Sequence, residues 1–229
     1  MNPITTTLRV ASLVLIAVAV LWLSSALTPR GYYPLRKGMR WDYEVSSSAA
    51  PSTVTLTVSN SGRRRVGQWD AAEQRVEVSG GSGYRYVVES SDSVTIVAEQ
   101  FPGKTEVSLL DPPVTLLHLP LEVGKSWDSD ATTTAIHPGT KIPVIGKVQS
   151  VSERVEVPAG RFDSSVLVQS SGQVQVADEG SDAPVEVRIE TRLWYVKGVG
   201  VVQIERRESS DHPELGEVQV RYRLVDRTT

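Results

Sequence analysis

"EVQVRYRLV", residues 217–225, sets the fold class. Val218, Val220, Tyr222 and Leu224 fall at every second position and alternate with Gln219, Arg221 and Arg223. Successive side chains on a strand point to opposite faces, so this is a strand with one buried and one solvated face. The pattern returns in "TVTLTVS" (53–59) and in "VEVRIE" (185–190). Similar runs lie near 73–79, 84–89, 93–98, 105–110, 148–157, 165–170 and 173–177. Turn-forming stretches separate them: "SNSG", "SGGSG", "FPGK", "PAG", "ADEGSDAP" and "SSDHPELG". No segment after residue 30 carries helical periodicity. The spacing predicts an all-β domain of about a dozen antiparallel strands, built as a sandwich or a curved half-barrel.

One nine-residue frame occurs twice. "PLRKGMRWD" (34–42) and "PLEVGKSWD" (120–128) share Pro-Leu-x-x-Gly-x-x-Trp-Asp at an offset of 86 residues. Pro34 and Pro120 lead in, Gly38 and Gly124 permit a left-handed turn, and Trp41 and Trp127 open a strand. Leu35 or Leu121 is expected to pack on the tryptophan across the turn. Residues 30–229 are therefore expected to form a single β-domain of two related halves, 31–115 and 116–229. The apolar "DPPVTLLHLP" (111–120) between them reads as a packed bridge rather than a linker.

Ahead of this unit lies a different kind of sequence. After Arg9, residues 10–27 form an uncharged apolar run of 18 residues, borderline for spanning a hydrocarbon core of about 30 Å. Ser24-Ser25-Ala26 suits signal-peptidase cleavage, and Trp22 suits an interfacial anchor. Residues 1–27 thus read as one N-terminal apolar helix, either a cleaved signal peptide or a retained membrane anchor. Arg30, Arg36, Lys37 and Arg40 follow the run, so counting flanking charge alone favours the opposite topology. The strongly β-patterned unit behind the run outweighs that count. An extracytoplasmic location is expected, in the bacterial cell envelope or secreted, with the membrane as a partner through residues 10–27 if they stay attached.

The chain has 229 residues, a formal charge of −3 and no cysteine. The missing cysteines exclude disulfides, thiolate metal sites, a cysteine nucleophile and a lipid-modified cysteine. The charge gives no reason to expect nucleic acid as a partner. Stability must come from the core, which about 200 residues can supply.

Two further motifs lie in the second half. "VPAGRFD" (157–163) places Pro158 and Gly160 as the second and fourth residues of a type I turn. In "WYVKGVGVV" (194–202), Gly198 and Gly200 suit a bulge or bend in a strand between Tyr195 and Ile204. With the Pro-Leu-x-x-Gly-x-x-Trp frame, these motifs resemble a group of exported bacterial β-rich proteins of uncharacterised function. The resemblance covers roughly residues 116–205 and returns weakly at 32–45. Some proteins of that group look like the half-barrels of periplasmic lipoprotein carriers, whose concave face shields acyl chains. The resemblance thus implies an exported β-rich fold, distantly like those half-barrels but without the helices that plug them.

No catalytic or metal constellation emerges. "GVG" is followed by a strand pattern, not by the third glycine and helix of a dinucleotide site. His118, His137 and His212 lie far apart without ligand spacing. "SSDH" (209–212) is turn chemistry, since catalytic triads are assembled from distant segments. Asp42 and Asp128, each after a repeat tryptophan, are the one candidate carboxylate pair, and repeat geometry explains them equally well. "RRR" (63–65) reads as an exposed strand. No cofactor is expected. The candidate ligand-contacting residues are aromatic: Trp41, Trp69, Trp127, Trp194 and Tyr195. Together these features point to a non-enzymatic extracytoplasmic β-module that binds an envelope component or a protein partner. The alternative is a carrier or sensor of an apolar, lipid-like ligand in a β-cavity, with a hydrolase behind both.

Overall fold

A computed structural model describes residues 31–79, 81–177, 184–212 and 216–228. The N-terminal apolar run, and with it the choice between signal and anchor, lies outside these residues. No helix among the described residues is long and apolar enough to cross a membrane.

Twelve strands follow one another: β1 (Arg40–Ser47), β2 (Ala50–Val66), β3 (Trp69–Val78), β4 (Gly81–Glu89), β5 (Ser93–Gln100), β6 (Ser108–His118), β7 (Ser126–Thr132), β8 (Lys141–Val157), β9 (Gly160–Val176), β10 (Val185–Val196), β11 (Gly200–Ser210) and β12 (Glu217–Thr228). They form one sheet in the order β6-β5-β4-β3-β2-β1-β12-β11-β10-β9-β8-β7. Of the two expected architectures the curved one is found, not the sandwich: a single sheet curls until it nearly closes into a barrel. Two apolar runs expected as separate strands, 165–170 and 173–177, belong to the one long β9.

Each strand pairs antiparallel with its neighbour in sequence except β6 with β7, and β1 pairs with β12 instead. The β1–β12 ladder runs from Arg40↔Thr228 to Ser47↔Val220 and ties the first strand to the last. The open seam has a chemical cause. β6 contains Pro112 and Pro113, which have no N–H to give to a ladder and confine such a strand to an edge. The bridge expected at 111–120 is packed, with Leu117 and Leu119 buried, and it is packed as an edge strand over most of its length. Side chains cross the seam instead: Trp127 Nε1 and Ser129 Oγ both donate to the carbonyl of Thr115, at 3.3 and 2.9 Å.

The two copies of the repeated frame have the same local geometry. Gly38 and Gly124 both sit at φ 88°. Met39 N donates to Arg36 O at 3.3 Å, and Lys125 N to Glu122 O at 3.0 Å. Gly38 and Asn60 exchange backbone bonds with the frame as Gly124 and Val148 do: Gly38 N to Asn60 O, Asn60 N to Met39 O, Gly124 N to Val148 O and Val148 N to Lys125 O, each 2.9 Å. Trp41 then pairs with Val58 and Trp127 with Gly146.

Of the two other turn motifs, the first acts as read from sequence and the second does not. Val157 pairs with Gly160, so Pro158-Ala159 is the two-residue turn of a hairpin. Val196 pairs with Gly200, so Lys197–Val199 is also a hairpin turn, not a bend inside one strand. A loop at residues 133–140 packs Ile136 into a cluster with Ile142, Val144, Val187 and Ile189. Glu208 on β11 holds that loop by accepting from the backbone N–H of Thr134, Ala135 and Ile136 at 2.8–3.1 Å.

Candidate functional site

The concave side of the sheet holds a half-open cavity of about 260 Å³ with mostly apolar walls. Trp41 and Tyr43 on β1 face it because they alternate with Asp42 and Glu44, and Leu56 and Val58 stand opposite them on β2. Tyr195 and Leu193 come from β10, and Val201 and Ile204 from β11. Gly200 lets β11 start close to the frame. A Cβ there would lie 3.3 Å from Pro34 and 3.7 Å from Trp41 Nε1, and its φ of 99° also favours glycine.

Hydrogen bonds fix the aromatic walls. Trp41 Nε1 donates to Val199 O at 2.6 Å, and Tyr43 Oη donates to Val201 O at 2.8 Å. Burial pushes the phenols of Tyr43 and Tyr195 well above the usual tyrosine range, so both stay neutral. A polar network closes one side. Tyr33 Oη donates to Gln74 Oε1 at 2.9 Å, Gln74 Nε2 to Asn60 Oδ1 at 2.8 Å, and Arg85 Nε to Gln74 Oε1 at 3.1 Å. Asn60 Nδ2 in turn donates to the carbonyls of Pro34 and Arg36, both at 3.1 Å.

The five aromatic candidates separate. Trp41 and Tyr195 line the cavity. Trp127 is buried in the core beside Val148 and Val168 rather than at the cavity. Trp69 is half-buried against a separate cluster containing Tyr86 and Ala71, and Trp194 against one containing Val155 and Val157. Sequence reading missed Tyr33, Tyr43, Gln74 and Arg85. For Tyr43, Gln74 and Arg85 the signal was present only as inward positions of the strand alternation, which becomes specific once the register is known; Tyr33 lies ahead of β1 and carried no such signal.

The other candidates are accounted for structurally. Asp42 is held by Arg40 at 2.9 Å and by Thr57 Oγ1 at 2.5 Å. Burial raises its carboxyl, but these two bonds outweigh it and leave it below the usual aspartate range. Asp128 is exposed on β7, six places from β1 in the sheet order, so the two aspartates do not converge on one cleft. In the 209–212 turn, His212 N donates to Ser210 Oγ and Glu186 N to Asp211 Oδ1. Arg63 pairs with Asp70 at 2.9 Å, and Arg64 with Glu73 at 3.5 Å. A depression of about 360 Å³ over β10–β12 is lined by Arg192, Arg206 and Arg221, which already pair with Glu190, Glu208 and Glu205. No group of metal-ligating side chains occurs among the described residues.

No family model matches the chain, and no curated protein matches it. Two solved structures are similar in fold. One is a predicted lipoprotein from Parabacteroides distasonis, at 10% identity and a TM-score of 0.48, with 86% of this chain and 98% of that one covered. The other is a predicted exported protein with a YmcC-like fold from Bacteroides fragilis, at 12% identity and a TM-score of 0.43, with 87% and 99% covered.

Proposed function

We propose that this protein is a non-enzymatic extracytoplasmic β-module that binds an apolar, lipid-like ligand in this half-open cavity. The cavity itself carries the reading. It is a concave, half-open space lined by strands from both ends of the chain, walled by Trp41, Tyr195, Leu193 and Ile204, and furnished with few polar groups. A partner docking on the outer depression is disfavoured, because the guanidinium groups there are already neutralised by neighbouring carboxylates. The apolar run at residues 10–27 supports delivery across or onto the membrane, close to a source of apolar ligand.

Two measurements test this reading. Full-length protein isolated from its membrane, extracted with organic solvent and analysed by mass spectrometry should yield an apolar small molecule in near-stoichiometric amount. Extracts indistinguishable from those of an unrelated membrane protein would reject ligand binding. Protease added to intact spheroplasts should degrade the β-domain, and N-terminal sequencing distinguishes a cleaved signal from a retained anchor. Protection until lysis would place the domain in the cytoplasm.

A further inference from the structure

The cavity lies between two unlike walls that occupy equivalent places in the sheet. Starting from the residue that exchanges backbone bonds with each copy of the frame, one row crosses four strands on each side. In the first half the row is Asn60, Gln74, Arg85 and Glu99, by direct register pairing across β2 to β5. In the second half it is Val148, Val168, Leu193 and Ile204, across β8 to β11. The same architecture therefore tolerates an apolar row, and the polar one needs another explanation.

Asn60 and Gln74 have a structural one, since they hold the carbonyls of the frame and the Tyr33 hydroxyl. Arg85 does not. Only its Nε is engaged, by Gln74, and no carboxylate among the described residues lies within ion-pair distance of its guanidinium. Glu99 stands opposite it on β5, and burial raises that carboxyl towards its neutral form, partly countered by Arg85. With its Nε bonded to Gln74, the rest of the Arg85 fork still has donors to give at the cavity, and Glu99, the facing carboxyl, is itself disfavoured as an anion by burial. A guanidinium also presents a fork that matches oxyanion geometry.

We infer that the ligand is a single-chain amphiphile with an oxyanion head, carboxylate or phosphate, seated on Arg85, and a chain lying against Leu193, Val201 and Ile204. This rests on the binding reading above and specifies its ligand class. The cavity of about 260 Å³ has room for one chain rather than for a multi-chain lipid.

The test uses the full chain in lipid nanodiscs with three photoactivatable probes, each bearing a terminal diazirine: dodecanoate, dodecyl phosphate and dodecanol. Labelling of the peptide containing residues 193–204 is followed by mass spectrometry as a function of probe concentration. At least one anionic probe should half-saturate this peptide at a concentration about tenfold below that of dodecanol, the scale of one charge-assisted bond. Which anion leads tells carboxylate from phosphate. Arg85→Gln should remove the anionic preference while dodecanol labelling persists. The comparison on the unaltered chain decides the matter if that variant fails to fold. Equal half-saturation by all three probes would overturn the headgroup inference and leave the cavity reading standing. Failure of every probe to label residues 193–204 would overturn both.

Discussion

Gly146 shows how tightly single residues are specified. A Cβ at this position would lie 2.6 Å from Cε2 of Trp127, a rigid ring that cannot swing aside as a flexible side chain would. Gly146→Ala is expected to destabilise the fold by about 1–3 kcal/mol, the usual cost of overpacking. Equilibrium denaturation measures it, and an unchanged midpoint would show that the ring has room to move. Trp127→Ala should cost more, about 3–5 kcal/mol, because it empties a buried aromatic site and removes the donor to Thr115. The role of Trp127 was legible in the repeated frame. Its dependence on Gly146 was not, since cross-strand partners follow from register, and no local pattern records them.

At the scale of elements, the 133–140 loop depends on one carboxylate from a strand far away in sequence. Burial raises the Glu208 carboxyl, but hydrogen bonds from Ile136, Ala135 and Thr134 and the charge of Arg206 outweigh it and hold it below the usual glutamate range. Glu208→Ala should cost about 3–5 kcal/mol by leaving those backbone donors and Arg206 without their acceptor. The linkage has a definite sign. A carboxyl whose pKa is lower in the folded state contributes stability that is present above its unfolded pKa and lost as pH falls through the folded one. The difference in melting temperature between wild type and Glu208→Gln should therefore be full at neutral pH and shrink below about pH 4. A difference independent of pH would mean that the charge is not what holds the loop. Alternation gave no hint of this contact, because Glu208 breaks the pattern at the end of β11, where it reads as ordinary surface charge. The hairpins at Pro158-Ala159 and Lys197–Val199 were visible as turn chemistry. The second was misread as a bend because Val and Gly alternate through it without polar punctuation.

At the scale of the whole molecule, the β1–β12 ladder turns two successive six-strand meanders into one nearly closed sheet. A protease site inserted between β6 and β7, at residues 121–125, should yield two fragments that stay associated and unfold in a single transition. Two separable folded halves would show that the ladder is not the principal joint. The strand content and the dominance of β-structure could be read from alternation alone. Closure could not, since it depends on which distant edges meet, and the prolines that keep the seam open looked like a bridge.

Binding of an apolar ligand inside this sheet is the central claim, and native mass spectrometry of the full chain tests it most directly, comparing wild type with Val201→Trp, which fills the cavity. Wild type should carry a bound small molecule, and a variant with unchanged circular dichroism should carry none. Identical masses of adduct on both proteins, or none on either, would contradict the claim.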